Sequence, residues 1–352
     1  MAGIGVRLNK IFGKNTLTTN MIGFFYSTLV TVAPMFAIII NLVLMEYFLK
    51  FSTLGYAQRE LFSCTILYTF IFSLLTASPF NAVLSRYISD VIYEERYQDI
   101  LPCYHIGMVL NIALSCLVGI PFCLWEHFIG GVSVAYVFAG FWCYSSLVLV
   151  FYSMIYLSIC KDYQRIAQYY GIGMLVAFFL SLFFRYILHW GITQSMLAAM
   201  DAGFFLTAVL ENALIKRYFR KNSNRYKPVL AYFKKYWQLV VTNFLYILGL
   251  YVHNFVFWTT DMKMVVVDSF VCNQPYDMAS CIAMFTNISA TIIFIARVEM
   301  YFHEKYKLYS EAVIGGRGAD IQNTKKRMFR QLASELMTLA RIQFIISVAV
   351  YL

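Results

Sequence analysis

Apolar residues in this chain come in long unbroken blocks, without the alternation of a strand or the single stripe of a soluble helix. Eight blocks approach or exceed the roughly 20 residues that a helix needs to cross a bilayer. They are Met21 to Leu49, Leu61 to Leu84, Ile100 to Leu124, Val132 to Cys160, Ile166 to Leu188, Ser195 to Ile215, Trp237 to Trp258 and Met278 to Arg297. A ninth starts at Phe344 and is still apolar at Leu352, so the sequence reads as a piece of a longer protein. Continuous blocks favour helices over a barrel, whose strands alternate. The expected fold is an all-α integral membrane protein, a polytopic helix bundle of eight full spans plus the start of a ninth.

The gaps between blocks are sorted by charge. With the first tail on the cytoplasmic side, Lys50, Arg59 and Lys263 fall outside. Arg185, Arg297 and Arg341 lie within or at the ends of spans, which leaves 22 of the 28 Lys and Arg inside. Basic loops resist translocation, so this bias gives the chain an orientation with its N-terminus cytoplasmic. The longest well-charged link, 216 to 236, holds eight Lys or Arg, including Lys216, Arg217, Arg220 and Lys221. It suggests a first six-helix lobe over 1–215, a cytoplasmic linker over 216–236 and the start of a second lobe over 237–352. The linker residues suit either anionic lipid or a protein partner. Residues 1 to 14 place Ile4, Leu8 and Ile11 on one helical face and Arg7, Lys10 and Lys14 on another, as in a helix lying on the inner surface. A second amphipathic stretch runs from 301 to 338, interrupted by Gly315, Gly316 and Gly318.

Composition supports the membrane reading: 61% hydrophobic, 13% charged, mean hydropathy +0.65. It also changes the meaning of the net charge of +10, which in a soluble protein would suggest nucleic acid and here is largely the topology signal. The eight cysteines lie mostly inside spans, as small apolar side chains. Cys272 and Cys281, in or beside an outward loop, could form a disulfide or remain thiols. No phosphate-loop, hydrolase, kinase or metal-ligand spacing occurs, so no enzyme activity, cofactor or metal is expected.

Ionisable and amide groups inside spans are costly and point to a cavity, a partner or function. Arg185 and Asp201 flank one tight turn and read as a charged wall of a solvated path, as an ion pair joining two helices, or with Arg185 snorkelling to the interface. Asn243 and Asn287 suit bonds across helices or contact with substrate. His253 and Asn254 sit near the end of the seventh span. Pro34 and Pro79 are candidate kinks. Tyr and Phe, 27 and 32 in number, fit the membrane interface or a carbohydrate path, and the count does not choose.

Four stretches carry a resemblance: MAGIGVRLNKIF at 1 to 12, SRYISDVIYEERYQDILP at 85 to 102, FLYILGLYVHNFVFW at 244 to 258, and QPYDMASCIAMFTNISATIIFIARVEMYFHEKYKLYSEAV at 274 to 313. In order and spacing they resemble the PelG family, the inner-membrane transport subunit of Pel exopolysaccharide systems. The resemblance implies a twelve-helix fold of the multidrug/oligosaccharidyl-lipid/polysaccharide exporter type. It also implies a polymer rich in N-acetylgalactosamine, a cytoplasmic glycosyltransferase partner and membrane subunits that sense cyclic di-GMP. Arg86, Asp90, Arg297 and Glu299 carry over as structural or gating positions. Arg86 and Asp90, four apart, also suit a local ion pair. Where the family has an acidic–basic pair after the glycines of the seventh span, this chain has His253 and Asn254. The expected function is polysaccharide export along a path lined by Arg185, Asp201, Asn243, His253, Asn254 and Asn287. The rivals are a scaffold for the glycosyltransferase and an ion-driven carrier using Asp201.

Overall fold

The computed structural model describes residues 17–160, 162–266, 269–297 and 303–351; for 17–31, 285, 287–297, 303–304 and 350–351 it describes the backbone only. Eleven α-helices and one short hairpin account for nearly all of them. The helices are α1 (Leu17–Phe48), α2 (Tyr56–Tyr93), α3 (Ile100–Phe128), α4 (Val134–Ile159), α5 (Tyr163–Tyr186), α6 (Ile192–Tyr218), α7 (Lys227–Lys235), α8 (Trp237–Phe257), α9 (Gln274–Arg297), α10 (His303–Gly315) and α11 (Gly318–Tyr351). Antiparallel strands β1 (Met264–Val266) and β2 (Phe270–Cys272) lie between α8 and α9. Seven helices are long and apolar enough to cross a membrane among the described residues: α2, α3, α4, α5, α6, α8 and α11. The chain is an all-α multi-pass membrane bundle.

Two compact units share the chain, Ala33–Gln274 and Met1–Val32 with Pro275–Leu352. In the larger, α4 is central, with α2, α3 and α6 against it, while α5 packs on α6 and α8 on α2. Short links reverse each helix against the one before it. The links 129–133 and 187–191 lie at the end that carries the hairpin, and 94–99 and 160–162 at the end that carries the basic link. α2 has 38 residues and so extends about 57 Å, well beyond a hydrocarbon core of about 30 Å. Its last turns, with Arg86 and Asp90, run on past the apolar block.

Local sequence explains where helices start and how closely they approach. Ser133 caps α4, its Oγ accepting from the Tyr136 N–H. Pro228 opens α7, where a missing N–H costs nothing. Gly173 of α5 faces Gly203 of α6 so closely that a Cβ at Gly173 would stand 2.6 Å from the Gly203 carbonyl oxygen. Thr207, one turn after Gly203, donates to Gly203 O at 2.9 Å and reaches the Tyr169 carbonyl of α5 at 3.4 Å. Small residues at such a crossing replace the hydrophobic drive that lipid does not supply.

Tyrosines are core residues here as well as interface residues. Tyr104, Tyr152 and Tyr156 are all within 1% of full burial. The Tyr152 hydroxyl donates to the Tyr104 carbonyl at 2.8 Å and shares a bond with the Tyr156 hydroxyl at 2.9 Å, and Tyr104 pairs with Ser153 at 3.1 Å. Aromatic rings fill the volume, and the short hydroxyl network satisfies their polar tips.

In the smaller unit α10 and α11 form a helical hairpin turned at Gly316, where a Cβ would meet the Ala312 carbonyl oxygen at 2.6 Å. Gln343 of α11 donates to the Thr286 carbonyl of α9 at 3.1 Å. The part of the amphipathic stretch from Gly318 onward and the ninth apolar block are one unbroken helix, α11, which differs from the expected span beginning near Phe344. Nothing between Gly318 and Tyr351 interrupts helical hydrogen bonding, and polar residues in its first turns set depth, not secondary structure. The amphipathic segment expected over 1–14 and Glu299 lie outside the described residues.

Candidate functional site

Asp201 lies nine residues into α6, about 14 Å from its start. It is half-buried, and its Oδ1 accepts a hydrogen bond from Ser146 Oγ of α4 at 2.8 Å. Arg185 does not pair with it. Arg185 sits one residue before the end of α5, and its Nη1 donates to the Trp190 carbonyl at 2.9 Å, closing the turn in which Trp190 stacks on Phe184. A difference in depth of roughly 12 Å along antiparallel helices keeps the two charges apart. Of the three readings of this pair, the ion pair is therefore set aside.

Asn243 of α8 donates through Nδ2 to the Ser78 carbonyl of α2, beside Pro79. Pro79 has no N–H for the Leu75 carbonyl, and Ser78 Oγ supplies that bond at 3.0 Å. The proline is thus accommodated by one serine and tied to a second helix by one asparagine. His253 is half-buried and Asn254 buried near the end of α8. Asn287 lies on α9 and Arg297 ends it, with their side chains outside the described residues. Asp201 faces α4 while Asn243 faces α2, so these two expected path residues do not converge on one point.

At the end carrying the basic link two of the four expected gating residues, Arg86 and Asp90, meet. Arg86 and Asp90 form an ion pair at 3.8 Å. Tyr232 of α7 donates to Asp90 Oδ2 at 3.1 Å and sets its ring edge-on to Tyr87 at 4.9 Å. Arg86 lies over the Tyr236 ring at 5.1 Å. Burial, then the hydrogen bond to Asp90, holds the Tyr232 phenol above its usual pKa. Ser223 donates to the buried Asp99, which Arg96 also holds at 2.9 Å, and Val229 enters the core. The link is therefore a folded strap anchored across α2 and α3. Lys216, Arg217, Arg220 and Lys221 remain exposed on it and on the end of α6.

At the opposite end lies a cavity of about 310 Å³ between α2, α3, α4 and the hairpin. Its walls are largely aromatic, including Tyr68, Phe72, Phe122, Tyr136, Phe141 and Tyr144, with Phe270 of β2 against them. Glu126, near the end of α3, also lines it and is 3% exposed. Ser269 of the hairpin donates to Glu126 Oε2. The Tyr68 hydroxyl donates to the Val271 carbonyl at 2.6 Å and accepts from the Val271 N–H at 3.2 Å, which binds β2 to α2.

Two acids escaped the sequence reading. Glu126 fell two residues past the expected end of its span. Glu211 of α6 is fully buried, with both carboxylate oxygens accepting no hydrogen bond within the protein. A lone acid in the apolar run Thr207 to Ile215 was the available signal for it. The cysteines are thiols and none joins a disulfide. Among the described residues no group of His, Cys, Asp and Glu could hold a metal ion.

A multi-pass helical bundle with isolated polar groups between its helices, a folded basic strap at one end and a capped aromatic cavity at the other has the build of a membrane transport protein. The whole chain, residues 1–352, matches the family model PelG, whose description reads "Putative exopolysaccharide Exporter (EPS-E)", and the chain belongs to that family. It is a family of transporter type, not of enzymes. No curated protein and no solved structure matches the chain.

Proposed function

We propose that this protein exports an exopolysaccharide across the bacterial cytoplasmic membrane, as the transport subunit of a synthase complex. The observation that carries the reading is the family match along the whole chain. On this reading the chain is the first six-helix lobe and the beginning of the second in a twelve-helix exporter, with its N-terminus and basic strap in the cytoplasm. The positive-inside bias supports that orientation. The polymer is Pel-like and rich in N-acetylgalactosamine. It is made by a cytoplasmic glycosyltransferase and gated by subunits that sense cyclic di-GMP. Asp201 is the best candidate in the path, because among the described residues one serine is the only hydrogen-bond partner of its side chain in a membrane-spanning helix, and a solvated face would leave its second oxygen for substrate. Asn243, His253, Asn254 and Asn287 are the further candidates, and Arg185 at the mouth of the same lobe sets its field.

The test is polymer secretion from cells carrying the full-length protein with Asp201→Asn, together with co-purification of the glycosyltransferase. Secretion lost with the complex intact supports a transport path through α6. Normal secretion removes Asp201 from it. A scaffold reading is favoured by one observation, the strap whose exposed Lys216, Arg217, Arg220 and Lys221 stand clear of its anchoring contacts. That reading requires the complex to fall apart when those four are neutralised, while Asp201→Asn secretes normally.

A further inference from the structure

We propose that Cys64 of α2 and Cys272 of β2 are a redox pair, whose disulfide pins the hairpin that closes the aromatic cavity. The contacts on either side of the two thiols place them opposite each other. Tyr56, Glu60, Cys64 and Tyr68 are spaced by four and share one face of α2. The Tyr56 hydroxyl reaches Met264 Sδ at 3.9 Å, and Gln274 Nε2 donates to Glu60 Oε1 at 3.0 Å. The Tyr68 hydroxyl holds the Val271 backbone, and its ring lies 5.2 Å from that of Phe270. Three of the four positions thus meet the hairpin or the residues just after it, and the fourth is Cys64. Cys272 in turn lies between Val271, held by Tyr68, and Gln274, held by Glu60, and it pairs in register with Met264.

Side-chain direction agrees. Successive strand residues point to opposite faces. Phe270 and Cys272 are buried while Val271 between them is only half-buried, so Cys272 shares the face of Phe270. Cys64, Val266, Phe270 and Cys272 form one buried cluster, with Leu61, Tyr68 and Met264 packed against it. Each of the two thiols is 3% exposed. Cys281, the partner that the sequence offers to Cys272, is exposed and outside this cluster. A disulfide forms only where the Cα atoms come within about 7 Å, so the cross-link reads the register of β2 on α2 directly.

Burial keeps both thiols inert while the hairpin is closed. A two-stranded hairpin has little stability of its own, so local opening is the route by which they react. The oxidant is a disulfide, of a small thiol or of a protein. The Cys272 thiolate attacks it, forms a mixed disulfide and releases one thiol. As the hairpin closes, the Cys64 thiolate attacks Cys272 Sγ and releases the second. The pair gives up two protons and two electrons, and the oxidant is reduced to two thiols. Once joined, β2 cannot leave α2, and the cover of the cavity opens again only after reduction. The pairing stands on the geometry alone. Its oxidised state in cells rests on the export reading, whose orientation puts the hairpin on the outer face, where disulfides persist.

Mass spectrometry of the full chain, alkylated with N-ethylmaleimide without reductant, tests this. Purified, reduced protein incubated with oxidised glutathione should yield a Cys64 peptide linked to a Cys272 peptide, in Cys281→Ala as in wild type. Hydrogen exchange over 264–272 should slow at least about tenfold on oxidation. Exchange in Cys272→Ala, or in Cys64→Ala should that variant not fold, should not respond to the oxidant. Protein taken from cells should carry the cross-link before any oxidant is added. No cross-link with oxidised glutathione, a cross-link to Cys281 instead, or unchanged exchange in the cross-linked protein would overturn the proposal. A cross-link in the purified protein with both thiols reduced in cells would uphold the pair and place the hairpin on the reducing side, against the orientation of the export reading.

Discussion

The same substitution at two glycines two residues apart on α5 should have opposite signs. At Gly171 an added Cβ meets nothing within 4 Å, so Gly171→Ala changes only helix propensity and should stabilise by about 0.5–1 kcal/mol. At Gly173 the added carbon would lie 2.6 Å from the Gly203 carbonyl oxygen and against Thr207 Oγ1, where ordinary contact begins near 3.4 Å. The oxygen belongs to a helix backbone, so relief requires α5 and α6 to part by about 0.8 Å along the crossing. Overpacking of this kind costs about 1–3 kcal/mol. Loss of the Thr207 bond to Tyr169 adds about 0.6 kcal/mol, as interhelical bonds in membranes do. The propensity gain offsets about 1 kcal/mol of that. Gly173→Ala should therefore destabilise by a net of about 0.6–2.6 kcal/mol, a shift of roughly three- to eighty-fold in the folded ratio. Equilibrium unfolding in mixed micelles against a rising fraction of denaturing detergent measures both variants. If Gly173→Ala were as stabilising as Gly171→Ala, the close crossing of α5 and α6, and the packing argument built on it, would be wrong.

Two further predictions concern the ends of the larger unit. Gly130→Ala should push Ser269 off Glu126 and loosen the hairpin, at a cost of about 1–3 kcal/mol. Hydrogen exchange over 264–272 should then speed up while that over α4 and α6 stays unchanged, and equal rates in both proteins would refute the docking of the hairpin through Ser269. Tyr232→Phe keeps the ring contact with Tyr87 and removes the donor to Asp90, so exchange over 227–235 should rise in step with a loss of about 0.5–1.5 kcal/mol. Because the folded phenol has a raised pKa, its contribution is complete below the ordinary tyrosine value of about 10 and fades as pH climbs past the folded one. The exchange difference between wild type and variant should accordingly shrink above that pH, and a difference that persists unchanged would remove Asp90 as the strap's anchor.

How much of this was legible in the sequence depends on which force set each feature. Bilayer thickness imposes a minimum run of apolar residues, so α2 to α6 and α8 were readable as blocks from composition alone. The Arg86–Asp90 pair was readable because helical spacing is local and fixed by the backbone. That Arg185 and Asp201 stand apart could not be read, because it depends on the depth of each side chain along its own helix, and an apolar run does not mark where its helix ends. The same ambiguity hid Glu126, since the block seemed to stop at Leu124 while α3 continues through Trp125, His127 and Phe128.

The strap and the hairpin were obscured for a different reason. Both are polar or mixed segments, and a charge count assigns them to solvent. Their order comes from a few apolar or hydroxyl side chains that reach back to the bundle: Val229 and Tyr232 in one, Ser269 and Phe270 in the other. Such segments gain structure from tertiary partners, which periodicity within the segment cannot reveal. The consequence for function is specific. A reading of this family that looks only within the spans would place all recognition in the lipid-embedded helices. Yet the strap presents exposed cations, Lys216, Arg217, Arg220 and Lys221 among them, beside residues fixed by Asp90 and Asp99, and the hairpin closes a cavity against Glu126. Substitutions in either segment should alter recognition while leaving the membrane-spanning helices intact, which makes the links between spans the first place to separate assembly from transport.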